Sequence, residues 1–147
     1  MSEKKLESII RDFDEAFVKG DVEKMLSFFA EDGVLVAPQG TFKGKEELKR
    51  SLTWSVQTTS NKQVRDAGIG LMVKGNKAVH EHVFEAVTLD GMKYEIPGAC
   101  VYEFSGEKIQ QHTDLYDRLS IAKQAAKGWL EKKIINAVVN RMEKGLR

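Results

Sequence analysis

The first third of the chain carries apolar residues at helical spacing. Intervals of three and four predict an amphipathic helix near residues 4–19 that ends at Gly20, and Asp21 is a suitable N-cap for a second, shorter helix. A third helix is predicted after Gly44. The apolar positions that define these helices are Leu6, Ile9, Ile10, Phe13, Phe17, Met25, Leu26, Phe28, Phe29, Leu48, Leu52 and Val56.

A short β-rich run lies between the second helix and the third. The run Val34–Ala37 follows a turn at Asp32 and Gly33, and Pro38 ends it because proline cannot donate to a strand ladder. We expect a loop through Gly40 from there to the third helix.

The second half of the chain has the pattern of strands. Residues near 63–74, 77–89, 92–105 and 108–117 alternate between apolar and polar side chains, and glycine-containing turns separate them. This pattern predicts an antiparallel meander of four long strands. This order of elements, helices first and then a meander, is typical of an α+β fold with the helices on one face of the sheet. A long sheet curved over three helices leaves a cone with one open end, which is a natural ligand cavity.

The last segment, residues 120–147, is helical by pattern, and Gly128 kinks or divides it. Lys and Arg side chains lie opposite a broad apolar stripe. The stripe consists of Leu130, Ile134, Ile135, Val138, Val139, Met142 and Leu146. We expect the stripe to be buried against the domain or a second copy, with an anionic membrane surface as the alternative.

Composition narrows the class of protein. A chain of 147 residues with 41% hydrophobic and 31% charged residues fits one domain with a real core. Cys100 is the single cysteine, which excludes an internal disulfide and suits a reducing compartment. No apolar run approaches the roughly 20 residues that span a bilayer, and the first residues lack the apolar segment of a signal peptide. We therefore expect a cytoplasmic protein.

Charge is unevenly distributed, although the net charge is only +1. The segment from Leu119 onward has seven basic and two acidic residues, which gives it a charge of +5 against −4 for the rest of the chain. Such a segment marks a partner or an anionic surface, or is a solvated helix face. Trp129 is its one aromatic residue, so the segment gives little support to nucleic-acid binding.

The last predicted strand has titratable groups on one face. Period-two alternation places His112, Asp114 and Tyr116 on the same side of residues 108–117. These side chains either line the expected cavity or belong to a solvated face, with Asp114 a structural carboxylate that its neighbours satisfy.

Strand register decides which groups join Asp114. If Phe84 faces the core, so do His80 and His82, whereas a slip of one residue buries Glu81 instead. The histidine register is favoured because it keeps Glu81 out of the core.

Two stretches of the chain resemble the nuclear transport factor 2-like superfamily, in particular its SnoaL-like and limonene-epoxide-hydrolase-like branches. The first runs from Phe17 to Val34 and on through Pro38, and the second runs from Gly98 to Asp117. The resemblance implies a cone-shaped, curved antiparallel sheet packed on three N-terminal helices, a cystatin-like α+β roll.

The same resemblance divides the chain in two. It implies a pocket domain at residues 1–118, to which residues 119–147 add a basic amphipathic helix. Because this fold hosts enzymes, binders and transport factors alike, it does not by itself imply a reaction.

The resemblance carries over only part of the known machinery. Asp114 matches the last-strand aspartate of the epoxide hydrolases, but residues 79–83 lack the arginine and second aspartate that accompany it. The hydrolases' water-holding tyrosine and asparagine map onto Val34 and Val36. The catalytic aspartate of the ketosteroid-isomerase-like branch maps onto Ala37. Both reactions are therefore disfavoured.

Three functions fit these residues. The first is a pocket enzyme, a hydrolase, isomerase or cyclase of a small, largely apolar molecule, with acid–base chemistry at Asp114, His80, His82 and His112. A histidine paired with Asp114 acts as a base near neutral pH, whereas Asp114 alone in an apolar cone acts as an acid. The second is a carrier or sensor that uses the same cavity. The third is an interaction module that uses the sheet and the basic helix.

Aromatic side chains are the candidate lining of the cavity. They are Phe13, Phe17, Trp54, Phe84, Tyr94, Tyr102 and Tyr116. The histidines and Asp114 have the ligand types of a metal site, but the resemblance implies no metal and no other cofactor. It does imply a homodimer through the outer face of the sheet, where Val79, Val83 and Val87 form an apolar row.

Overall fold

The computed structural model describes residues 2–146 and confirms the α+β architecture. Within those residues the chain forms five helices and one six-stranded sheet. In chain order the elements are α1 (Glu3–Lys19), α2 (Val22–Ser27), β1 (Phe29–Ala37), β2 (Gly40–Lys43), α3 (Gly44–Gln57), β3 (Thr59–Lys74), β4 (Lys77–Thr88), β5 (Lys93–Ser105), β6 (Lys108–Tyr116), α4 (Arg118–Ala125) and α5 (Trp129–Met142).

The ends of the first two helices follow the sequence signals. Gly20 ends α1 in the left-handed conformation, with φ of 76°, and its backbone N–H donates to the carbonyls of Ala16 and Phe17. Asp21 caps α2 through a 3.0 Å hydrogen bond that its carboxylate accepts from the backbone N–H of Lys24. Both boundaries are confirmed.

The sheet has the strand order β2-β1-β6-β5-β4-β3. Strands β3 to β6 form the predicted antiparallel meander, and β1 pairs in parallel with β6. The predicted loop after Pro38 is wrong in part, because residues 40–43 form the edge strand β2 against β1. Four residues are too few to show an alternating pattern, so this strand is not predictable from local spacing.

The hydrophobic core lies between α1–α3 and the concave face of the sheet. Its largest fully buried side chains are Tyr102, Phe29, Leu6, Ile10, Met25, Leu48, Ile109 and His80. A second, smaller apolar cluster forms around Ala86, Tyr94 and Ile96 and includes Ile121 of α4. These two clusters supply most of the apolar wall of the cavity described below.

The C-terminal segment forms two helices rather than one. Helix α4 packs against β5, where the Gln124 side chain accepts from the backbone N–H of Glu95 at 3.2 Å and donates to its carbonyl at 2.9 Å. The chain breaks its helix before Gly128, and α5 follows. The apolar stripe of α5 is not buried on its own domain, since Ile134 is 56% exposed and Met142 is 72% exposed.

An irregularity in β3 shapes the inner face of the sheet. Asp66 lies opposite His82, whereas Leu71 lies opposite His80, so β3 contains extra residues between these two pairs. Bulges of this kind bend a strand and redirect its side chains. Here the bulge leaves Asp66 in hydrogen-bond contact with His80, at 2.8 Å.

Glu81 holds the bulge from the neighbouring strand. Its Oε2 accepts a hydrogen bond from the backbone N–H of Ile69 at 3.0 Å. Gly68 has φ of +52°, and a Cβ added there would lie 2.0 Å from the same carboxylate oxygen. The backbone conformation therefore favours glycine at this position, and a larger residue would displace the Glu81 carboxylate.

We expect Gly68→Ala to destabilise the protein more than Gly75→Ala. Both glycines have positive φ, +52° and +60°, but a Cβ at Gly75 meets nothing within 4 Å. Gly75→Ala should cost about 1 kcal/mol of unfolding free energy for conformational strain. Gly68→Ala should cost about 1–3 kcal/mol more, because Glu81 loses its hydrogen bond. Urea denaturation checks this, and equal losses for the two variants would contradict it.

Candidate functional site

A cavity of about 830 Å³ opens between the helices and the concave face of the sheet. All seven predicted aromatic residues line it: Phe13, Phe17, Trp54, Phe84, Tyr94, Tyr102 and Tyr116. The wall is mostly apolar at the inner end, where Tyr102 is fully buried, and Trp54 is half exposed at the mouth. A cavity of this size accepts a small organic molecule.

Strand register places the histidines on the inner face. His80 and His82 are buried on β4, and Phe84 lines the cavity, whereas Glu81 lies on the outer face opposite Ala99. The histidine register is the one that the structure contains.

Asp114 faces the cavity from β6. Its Oδ1 accepts a weak hydrogen bond from Cys100 Sγ at 3.6 Å, directly across the β5–β6 pair. Its Oδ2 has no hydrogen-bond partner among residues 2–146 and is not sealed from the cavity. Burial raises the pKa of this carboxyl; His82 and Cys100 lower it, and Asp14 raises it further.

His82 presents one ring nitrogen to the cavity. Its Nδ1 lies 3.1 Å from the backbone carbonyl of His80, which only accepts, so Nδ1 carries the proton. The other nitrogen, Nε2, is then the lone-pair site of the neutral ring, and it is accessible from the cavity. Gly98, opposite His82 in the sheet, leaves room there, since an added Cβ would lie 3.4 Å from Nε2.

His80 is not in the cavity wall, in contrast to the expectation that it would share a site with Asp114. Its Nε2 lies 2.8 Å from Asp66 Oδ1, and its Nδ1 lies 3.2 Å from Asp14 Oδ2. Burial by itself lowers the pKa of His80, but the two carboxylates outweigh burial and raise it. The ring therefore lies between two carboxylates that favour its protonated form.

Arg11 completes this network at the surface. Its guanidinium donates two hydrogen bonds to the Asp66 carboxylate, at 2.6 and 2.7 Å. Arg11, more than His80, holds the pKa of Asp66 far below its usual range. The order of charges from the surface inward is therefore Arg11, Asp66, His80 and Asp14.

Asp14 is the site residue that the sequence analysis missed. It lies on α1 next to Phe13 and lines the cavity, with only 18% of its side chain exposed. Its position four residues after Ile10 and three before Phe17, on the stripe that α1 buries, is the sequence signal that identifies it. A carboxylate on a buried helix face requires a partner, and His80 supplies one.

His112 lies at the inner end of the cavity as a neutral ring. It stacks on Tyr102 with ring centroids 4.5 Å apart and meets Phe13 edge-on at 5.5 Å. Burial lowers the pKa of His112 to about 3, and His82 adds to this effect. Neither ring nitrogen has a hydrogen-bond partner among residues 2–146, and the same is true of Tyr102 Oη. These three polar atoms are also sealed from the cavity, unlike Asp114 Oδ2 and His82 Nε2.

No histidine forms a hydrogen bond with Asp114 in the part of the chain that the structure describes. The predicted Asp–His pair is therefore not formed among residues 2–146, and Asp114 is instead a desolvated carboxyl whose pKa burial raises. No group of three His, Cys, Asp or Glu side chains in residues 2–146 has the arrangement of a metal site. His80 and His82 have their ring centroids 5.1 Å apart but contact different partners.

The first strand contributes only apolar groups to the site. Leu35 and Ala37 line the cavity, whereas Val34 and Val36 pair with outward-facing positions of β6. The resemblance implied that these two valines occupy the cavity positions of β1. In the structure Leu35 and Ala37 occupy those positions instead. The cavity positions still lack a side chain that binds water or takes a proton.

Sequence comparison decides the family. Residues 10–112 match the SnoaL-like domain. The chain belongs to the SnoaL-like family. No curated protein matches the chain significantly in sequence. No helix within residues 2–146 has both the length and the hydropathy to cross a membrane.

Solved structures share the fold of this SnoaL-like protein at low sequence identity. A putative polyketide cyclase from Xanthomonas campestris pv. campestris has a TM-score of 0.76 at 22% identity, over 84% of this chain and 98% of that one. A protein with a ketosteroid isomerase-like fold from Catenulispora acidiphila, in complex with trimethylamine, has a TM-score of 0.71 at 21% identity, over 80% and 91%. At these identities the likeness shows the fold alone.

We expect His80→Gln to cost about 3 kcal/mol of unfolding free energy near neutral pH, because it leaves Asp14 without its buried partner. The raised pKa of His80 sets the pH dependence. Its contribution is fully present below the pKa of an unfolded histidine, about 6.5, and is lost as the pH rises through the raised value.

Urea denaturation of both proteins across this pH range provides the measurement. The stability difference between wild type and His80→Gln should shrink on the alkaline side. In an Asp66→Asn background, the stability difference that the His80→Gln change makes should decline at a lower pH than in the wild-type background. The reason is that Asp66→Asn removes one of the two carboxylates that raise the pKa of His80. A difference that stays constant with pH would contradict the assignment of a charged ring.

Proposed function

We propose that this SnoaL-like protein is an acid–base enzyme that acts on a small, largely apolar molecule. One observation carries the proposal: the Asp114 carboxyl, with a raised pKa, and the free Nε2 of His82 face the same apolar cavity. A proton donor and a proton acceptor that share a water-poor site are the elements of general acid–base catalysis.

The two groups have different roles. Asp114 in its neutral form donates a proton from Oδ2 to a carbonyl oxygen of the substrate, while His82 Nε2 removes a proton from the adjacent carbon. The carbon–hydrogen electron pair forms the new carbon–carbon double bond of an enol, and the carbonyl electron pair receives the Asp114 proton. Return of a solvent-derived proton from His82 to the same carbon, with return of the enol proton to Asp114, gives the exchanged substrate. Delivery to another carbon of a conjugated enol gives an isomer.

Neighbouring residues support these roles. Cys100 Sγ donates to Asp114 Oδ1 at 3.6 Å, which orients the carboxyl and leaves Oδ2 for the substrate. Burial raises the pKa of the Cys100 thiol, so it is a hydrogen-bond donor rather than a nucleophile. The nearby charge of Asp14 raises the pKa of Asp114 further.

The names of structural neighbours agree with chemistry of this class. Several are putative polyketide cyclases, and another neighbour, TerC, was co-crystallised with polyporic acid. Cyclisation of a polyketide begins with removal of a proton next to a carbonyl, which is the step assigned here to His82 and Asp114. The proposal requires no cofactor.

A ligand carrier or sensor is the second candidate. The wall of the cavity is mostly apolar. That feature suits ligand binding without turnover. The experiment below separates the two functions.

We expect the protein to accelerate hydrogen–deuterium exchange at the carbon next to the carbonyl of an apolar aryl ketone such as tetralone. Asp114→Asn should lower the exchange rate at least 100-fold, the usual contribution of a general acid or base. Binding of neutral phenylnaphthylamine to the cavity should change little. Proton NMR in deuterium oxide measures exchange, and fluorescence measures binding.

Asp12→Asn is the matched control, because Asp12 is an exposed carboxylate on the same helix as Asp14 but outside the cavity wall. It should retain the wild-type exchange rate. A wild-type protein that binds the neutral probe without exceeding the buffer exchange rate would favour the carrier. Full activity in Asp114→Asn would contradict the role of Asp114 as the acid.

We also propose that the protein forms a homodimer through the outer face of the sheet. Cross-strand pairing aligns apolar side chains there, because Met72 lies opposite Val79, and Val79 lies opposite Val101. Val83 pairs with Pro97 on the same face. Met72 is 56% exposed in the single chain, and burying such a patch is the usual reason for association.

Val79→Glu should convert the dimer to a monomer, because it places a charge at the centre of this patch. Light scattering after size-exclusion chromatography provides the measurement. Ala125→Glu, on exposed α4 away from the sheet face, is the control and should leave the mass unchanged. A wild-type monomer, or a Val79→Glu dimer, would contradict the proposal.

Two further assignments belong to the proposal. We divide the chain into a pocket domain, residues 1–118, and a basic extension, residues 119–147, of which α4 contributes Ile121 and Ala122 to the cavity wall. A cytoplasmic location suits the single buried thiol of Cys100.

A further inference from the structure

Charged side chains in the cavity wall are sorted by depth. Asp14 and Asp114 lie toward the inner end, where the first has only 18% of its side chain exposed. Arg50 and Arg118 line the same cavity but are exposed, as is Trp54. The floor therefore carries the carboxylates and the mouth carries the guanidinium groups.

Neither arginine at the mouth is engaged by a carboxylate. Within residues 2–146, Arg50 and Arg118 form no ion pair and no side-chain hydrogen bond. Arg11 and Arg65, by contrast, bind Asp66 and Glu85. The two guanidinium groups at the mouth thus keep all their donors for another partner.

Both arginines are attached to cavity-lining elements. Arg50 precedes Trp54 by one turn of α3, and both side chains line the cavity. Arg118 begins α4 and lies near Tyr116: burial raises the pKa of that phenol, and the charge of Arg118 opposes the shift. Two different elements, α3 and α4, therefore each bring one exposed guanidinium group to the cavity wall.

We propose that Arg50 and Arg118 form a rim site that recognises an oxyanion, such as a carboxylate, sulfonate or phosphate group, at one end of an otherwise apolar ligand. The inference rests on the proposed cavity ligand and adds its charge and orientation. Guanidinium groups bind planar oxyanions with paired hydrogen bonds, and apolar surface nearby strengthens the attraction.

The rim site fixes which end of the ligand reaches Asp114. The anionic group stays at the mouth, because the floor already holds the carboxylate of Asp14 and would repel it. The apolar body then extends inward past Phe84 and Tyr94 to Asp114 and His82. Ligands that lack the anion should bind less tightly and with less defined orientation.

Two fluorescent probes with one aromatic skeleton test the site. Anilinonaphthalene sulfonate carries a sulfonate, and phenylnaphthylamine is its neutral counterpart. The measurements use a Trp129→Phe background, which leaves Trp54 at the mouth as the single tryptophan of the two in the chain. Energy transfer from Trp54 then reports binding in the cavity rather than on the exposed apolar face of α5.

Arg50→Gln and Arg118→Gln should each weaken binding of the sulfonate probe about three- to tenfold, as for a partly exposed charge-assisted contact. Binding of the neutral probe should change by less than about twofold, since it makes no ionic contact. Salt should weaken only the sulfonate probe. Arg118→Lys should retain part of the affinity, because it keeps the charge but loses the paired donors.

Arg141→Gln is the matched control, because it removes one exposed arginine from α5 and leaves the cavity unchanged. An equal loss in Arg141→Gln, or equal responses of both probes to Arg50→Gln and Arg118→Gln, would overturn the rim site while leaving the proposed acid–base function intact. Failure of both probes to bind would overturn the rim site together with the cavity ligand. Normal probe discrimination with no ketone exchange would overturn the enzyme proposal and retain the rim site.

Discussion

The alternation of side chains along β4, β5 and β6 is the constraint on which the rest of the structure depends. Register pairs His80 with Cys100, and Cys100 with Asp114, so one pleated surface carries several polar side chains toward the helices. A shift of one residue would exchange this row for Glu81, Ala99 and Leu115. This register directs Cys100 and Asp114 into the cavity beneath α1. It also places His80 where Asp66 of the bulged strand β3 contacts it.

Burying polar side chains of the sheet beneath apolar helix faces costs desolvation free energy. The structure offsets this cost with charged partners at some positions and not at others. At one side, Arg11, Asp66, His80 and Asp14 alternate in charge, with heavy-atom separations of 2.6 to 3.2 Å. At the other side, Asp114 has only a weak thiol contact, and burial raises its pKa. The fold thus gives one carboxylate a buried histidine partner and leaves the other facing the cavity with only the thiol contact.

Periodicity was sufficient to predict the helices, the meander, the inner face of β6 and the aromatic lining, since each follows from local spacing. Other features depend on contacts between distant segments. Asp66 reaches His80 only because β3 bulges, and His80 is then held by Asp14 of α1 rather than by Asp114. The edge strand at residues 40–43 forms because β1 is available to pair with it.

Asp14 itself was visible in the sequence as a carboxylate on the apolar stripe of α1, but only the structure supplies its partner. The family match agrees with the fold and leaves the reaction to be argued from these side chains.

The central claim is that Asp114 is a desolvated carboxyl that faces the cavity with a raised pKa. Carbon-13 NMR of the aspartate side chains, with Asp114→Asn to assign the signal, measures its pKa directly. The account predicts a pKa above that of an unperturbed aspartate, about 3.9, and a further rise when an apolar ligand fills the cavity. A carboxyl that titrates at or below the ordinary value, with no response to ligand, would contradict the account.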